Sequence, residues 1–189
     1  MLEELKLPTL NMKTYPQNRT GFTLIEMLVS LVIVAIGVLG VYAAVAKYSR
    51  NTQQEKDNLV ASYLCEEGIE IIKNIRDTNW VSGATSWKLG LVSSQGMDCT
   101  AGCEADFDFS DGKLSAWTTG NYLYLDNSSG GTGLYRYISS PDVGDVKTDF
   151  QRKIVITEVG DDELDITVTV YWEDQTKSMV VKENIYNWR

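Results

Sequence analysis

Residues Met27 to Ala46 form an apolar run in which Ser30 is the only clearly polar side chain. No other feature narrows the possible folds so far. About 20 consecutive apolar residues are enough for an α-helix to cross the hydrocarbon core of a bilayer. The three prolines stand at Pro8, Pro16 and Pro141, so no proline interrupts a helix from Phe22 to about Asp77. Its second half is amphipathic. At about 100° per residue, Val60, Ala61, Leu64, Cys65, Gly68, Ile71, Ile72 and Ile75 share an arc of roughly 140°. Glu66, Glu67, Glu70, Lys73 and Asn74 fall outside that arc, and Asp57 is a misfit within it.

An apolar stripe on a long helix needs a cover. From Trp80 onward glycine, serine and aspartate punctuate short β-prone runs. Asn121–Leu125 and Leu134–Ile138 flank the loop "DNSSGGTG", and Ile154–Val159, "LDITVTVYW" and Met179–Ile185 read as three successive strands. In the middle one Ile166, Val168, Val170 and Trp172 alternate with Thr167, Thr169 and Tyr171, the period of a half-buried strand. "EDQTK" turns it back. The expected class is α+β, a long N-terminal helix with a membrane-spanning first half, packed on an antiparallel β-sheet.

Glu26 stands just inside the apolar start, and from Phe22 to Ala46 there is no Lys, Arg or His to pair with it. An acid costs roughly 2.5–3.5 kcal/mol at the centre of a membrane helix and less near an end, so an intramembrane carboxylate points to function. An ordinary signal anchor accommodates the run without explaining Glu26. A cleavable secretory signal fits Lys13 and Arg19 before the run and Ala44-Val45-Ala46 as its A-x-A site, but its apolar region is usually only about 7–15 residues.

Gly21-Phe22-Thr23-Leu24-Ile25-Glu26 followed by the apolar run resembles the class III signal of type IV prepilins and of the pseudopilins of type II secretion. The resemblance implies that prepilin peptidase cuts between Gly21 and Phe22 on the cytoplasmic side and methylates the amino group of Phe22. It implies a ladle-shaped, type IV pilin-like fold, other pilin or pseudopilin subunits and an inner-membrane assembly platform as partners, and a single-pass membrane precursor that becomes an extracellular or periplasmic filament. Glu26 takes the place of the family's glutamate. A new α-amino group has a reference pKa of about 7.7–8.0 and is largely cationic at neutral pH. Glu26 of a neighbour staggered along the filament can reach it. Breaking a buried pair by removing one partner costs about 3–5 kcal/mol, so the acid sets the register of assembly. The helix end "EGIEIIKNIRDTNW" and the terminal "NW" resemble minor pilins and pseudopilins.

On this reading residues 1–21 are leader, 22–46 the membrane and assembly half of the helix, 47–79 its amphipathic half and 80–189 a β-rich globular domain. Many major pilins carry a proline where this chain has Ala43. Gly37 and Gly40 offer either local melting of the helix or close packing through small residues. The charged flanks tie, Lys6, Lys13 and Arg19 before the run against Lys47, Arg50 and Lys56 after it, so the positive-inside rule does not decide the orientation. The formal charge is −9, and removing a leader with three basic and two acidic residues leaves −10. Nucleic acid is not an expected partner of so acidic a chain. Its lack of histidine removes Ser-His-Asp and Cys-His nucleophiles and His-ligated metals, and an enzyme is not expected.

The loop "CTAGCEADFDFSDG" carries the remaining chemistry. Cys99 and Cys103 are expected to close a small disulfide in an oxidising compartment, worth about 2 kcal/mol for a ring this short. Cys65, on the edge of the helical stripe, reads as a buried free thiol. Asp106 and Asp108 alternate as calcium ligands do, and Asp111 follows ahead of Gly112. Ser110 at the fifth place, Gly112 one place late and Trp117 at the twelfth depart from the EF-hand pattern, so a solvated acidic turn competes. No other cofactor is expected. Two function classes follow: a structural subunit, minor pilin or pseudopilin, and a membrane-anchored surface binding module or adhesin outside any filament.

Overall fold

The computed structural model describes residues 21–105, 114–128, 130–138 and 140–188. The chain divides into two compact units, Met1–Arg50 and Asn51–Arg189. Helix α1 runs Leu24–Ser82, starting two residues later and ending five residues further on than the sequence pattern suggests. Its end is set by Gly83 (φ +69°). Gly83 N–H donates to the Trp80 carbonyl at 3.3 Å and Ala84 N–H to that of Asn79 at 3.0 Å, the Schellman arrangement that a left-handed glycine allows. Asn79 then holds the outgoing chain, donating through Nδ2 to the carbonyls of Trp87 (3.1 Å) and Leu89 (2.8 Å).

In the second unit β1 (Cys103–Glu104), β2 (Ser115–Ala116), β6 (Gln151–Gly160), β7 (Glu163–Trp172) and β8 (Lys177–Tyr186) form an antiparallel sheet in the order β2-β1-β6-β7-β8. The two-residue strands β3 (Tyr124–Leu125), β4 (Tyr135–Arg136) and β5 (Val146–Lys147) form a second sheet in the order β4-β3-β5. The three long strands lie where the alternation placed them and extend beyond it by up to three residues at an end. The segments around β3 and β4 shrink to minimal ladders. The β7–β8 turn keeps Glu173, Asp174 and Gln175 all at positive φ, an unusual run for residues with a Cβ. Thr176 N–H to the Glu173 carbonyl (3.0 Å) and Lys177 Nζ to the Glu173 carboxylate (2.7 Å) brace it.

The helical stripe meets the sheet as its period requires. Ala61, Leu64, Cys65, Gly68, Ile71 and Ile72 are buried, Val60 and Ile75 pack at the margin, and the buried face widens to take in Ile69. Opposite them stand Ile154, Ile156, Leu164, Ile166, Val168 and Val170. At Gly68 a Cβ would lie 2.9 Å from Val168 Cγ1 and 3.1 Å from Arg152 Cδ, so glycine sets how closely helix and sheet approach. Arg152 is fully buried. Its guanidinium donates to the carbonyls of Leu64 (3.0 Å) and Ala105 and pairs with Glu67 at 3.1 Å. A buried cation persists only when paired and hydrogen-bonded, so Arg152 ties α1, β6 and the chain after β1 to one another. Asp57 finds its place near β4: it accepts from Gln53 Nε2 at 2.9 Å, and its charge adds to burial in raising the Tyr135 phenol.

Candidate functional site

The residues that the sequence singles out for processing lie just ahead of α1. Gly21, Phe22 and Thr23 precede the helix in non-helical, exposed backbone, and Phe22 keeps 75 % of its surface. A Cβ on Gly21 would meet nothing within 4 Å, so the chain's own packing does not demand a glycine there. Thr23 starts the helix. Its Oγ1 accepts from Glu26 N–H at 3.3 Å and its carbonyl from Met27 N–H at 3.2 Å, which makes Thr23 the N-cap. The role is readable as Thr-x-x-Glu ahead of an apolar run, the capping-box signature, which hydrophobic spacing does not register. Glu26 sits in the first turn, where the unpaired N–H groups leave a partial positive charge that favours an anion. One turn on, Ser30 Oγ donates to the Glu26 carbonyl at 2.7 Å, which satisfies the hydroxyl within the helix.

Every residue from Gly21 to Val45 is exposed, and none of the apolar window of α1 is buried. So large a continuous apolar surface marks a membrane or protein contact. Gly37 and Gly40 likewise meet nothing within 4 Å of a built Cβ. Lys47, Arg50 and Lys56 are exposed beyond the run.

The cysteines belong to the second unit. Cys99 and Cys103 are joined by a disulfide with Cα atoms 5.1 Å apart, and both are buried. Ile156 N–H donates to the Cys99 carbonyl at 3.2 Å and Cys103 pairs with Ile154, so the ring is held against β6. Cys65 is a buried free thiol that donates to the Met179 carbonyl at 3.8 Å. Burial pushes its pKa up to about 11. Asp106, Asp108 and Asp111 lie outside the described residues. Among the described residues no group of three or more Cys, Asp or Glu is placed to hold a metal ion. Asp126, which no pattern in the sequence singles out, is a nearly buried acid that accepts from Thr132 N–H (3.0 Å) and Ser128 Oγ (2.9 Å), with Arg136 at 3.6 Å. Those bonds, led by the Thr132 amide, lower its pKa to about 2. It organises the loop that joins β3 to β4.

Residues 16–42 match the family model of the prokaryotic N-terminal methylation motif. No curated protein and no solved structure matches the chain. The chain therefore carries the class III signal of type IV pilins, continuous with a long apolar helix.

Proposed function

We propose that this type IV pilin-like precursor is a minor pilin or pseudopilin, a non-enzymatic structural subunit of a type IV pilus-like filament. Prepilin peptidase cuts after Gly21 and methylates Phe22. Residues 22–46 then hold the subunit in the membrane until the assembly platform transfers it to a filament of other pilin subunits outside the inner membrane. Glu26 pairs with the Phe22 amine of a staggered neighbour, residues 47–79 carry the helix onward, and residues 80–189 are displayed. The observation that carries this reading is the methylation motif at residues 16–42 running into a helix whose membrane-length apolar window has no buried residue. Exposed non-helical backbone at Gly21–Phe22 supports the cut, because a peptidase needs an extended peptide.

Intact-mass analysis of the membrane fraction is the direct test. The expected species lacks Met1–Gly21 and carries one methyl group on Phe22. An amino terminus at Lys47 would establish secretory cleavage instead, and an uncut chain would favour an anchored binding module.

A further inference from the structure

β8 is a ten-residue strand at the end of the five-stranded sheet. Among the described residues its backbone ladder runs to β7 alone, without a shift from Lys177 to Tyr186. A strand this long, regular and free of proline is an open template, because its outward N–H and C=O groups can accept another strand. Which groups point outward follows from one bond. Asn187 N–H donates to the Asp162 carbonyl at 2.9 Å, and bonded and non-bonded pairs alternate along an antiparallel ladder. Odd-numbered residues therefore turn their backbone groups to β7. Ser178, Val180, Lys182, Asn184 and Tyr186 direct theirs away from the sheet, and the side chains of these same residues are exposed.

We propose that the outer edge of β8 docks the β8 of a second copy of this chain, antiparallel, with Val180 on the two-fold axis. The axis must pass through a residue, since only then do outward-pointing groups meet outward-pointing groups. At Lys182 it sets two ammonium groups face to face. At Val181 it sets Met179 against Glu183 and Lys177 against Ile185. At Met179 it leaves only residues 177–181 overlapping, with Lys177 against Val181. With Val180 on the axis Lys177 faces Glu183, Met179 faces Val181, Ser178 faces Lys182 and Val180 faces itself, so each cross-strand pair is compatible.

About six backbone hydrogen bonds close the overlap. Val180 is 51 % exposed, and the Lys177 and Glu183 side chains keep 34 % and 38 % of their surface. Their present partners, Glu173 and Lys73, are surface ion pairs of the kind that exchange readily. This contact closes at two copies. It ties two heads laterally and is independent of the open, staggered contact through α1.

Cysteine cross-linking of the full chain in detergent micelles tests it. Cys65 is buried and the other two cysteines are bonded, so an added cysteine is the reactive one. Val180→Cys is expected to form a disulfide-linked dimer on mild oxidation. Ser178→Cys mixed with Lys182→Cys is expected to cross-link, and neither to do so alone. Val180→Pro deletes an N–H that β7 does not use. It should keep the wild-type melting temperature while non-covalent dimer, measured by sedimentation, disappears. Glu183→Lys should lower the dimer constant about tenfold, and adding Lys177→Glu should restore it. A Val180→Cys chain that stays monomeric overturns the proposal, as does dimer that survives both Val180→Pro and Glu183→Lys. Processing after Gly21 would be untouched by either result.

Discussion

On the proposed function Glu26 serves two ends of different weight. An acid near a helix N-terminus gains about 0.3–1 kcal/mol from the helix dipole, whereas an ammonium buried without its partner costs about 3–5 kcal/mol. On the proposed pairing with a neighbour's Phe22 amine, the second effect governs assembly. Glu26→Val should therefore leave insertion and cleavage intact and reduce the protein recovered in sheared filaments by about a hundredfold or more. Wild-type recovery would refute the register role. Glu26 stands out by its isolation in an apolar run, whereas Thr23 shows only in the Thr-x-x-Glu motif, because a cap is a hydrogen bond and leaves no trace in hydrophobic spacing. Cys65 tests burial at the same scale. A thiol raised to about 11 stays protonated in the folded chain, so it contributes stability that is present below its unfolded pKa and is lost as pH rises toward 11. Alkylation at pH 8 should spare Cys65 until denaturant is added, and peptide mapping should still recover Cys99 linked to Cys103.

At the scale of elements, the helix–sheet contact rests on Gly68. Val168, against which a new methyl would press, is fully buried and has little room to move. Gly68→Ala should cost about 1–3 kcal/mol by overpacking, read as a lower urea midpoint with an unchanged slope; no loss would mean that helix and sheet pack less tightly here. The β3–β4 loop has its own signature. Asp126, held near 2 instead of its ordinary 3.8, contributes stability that is complete above the ordinary value and is lost as pH falls toward 2. Asp126→Asn should lower the melting temperature at neutral pH, and the gap to wild type should narrow as pH falls through that window. A gap that widens in acid would contradict the hydrogen bonds to Thr132 and Ser128. The long strands were legible because two-residue alternation over ten residues has one explanation. β1, β2 and β5 carry two residues each, too few for a period, and they pair only because the chain around them is already placed.

Across the whole molecule, apolar surface is divided between two fates. Among the described residues the buried core lies between Ala61 and Ile185, within the second unit, while residues 21–45 are bare. Residues 51–189 produced alone should stay soluble and unfold in one cooperative transition by circular dichroism; failure to fold would show that the core depends on the first fifty residues. Sequence by itself determined the membrane-length run, the motif at its head, the acid in its first turn and the amphipathic half that demanded a sheet, because each is a local pattern set by the period of one helix or strand. Only the tertiary structure decided that Arg152 would be the buried fastening between α1 and β6, that Asp57 would lie near Tyr135, and that β8 would end the sheet with its outer backbone unpaired among the described residues. Those outcomes depend on which distant residues meet, and pairing between distant residues has no period along the chain from which to read it.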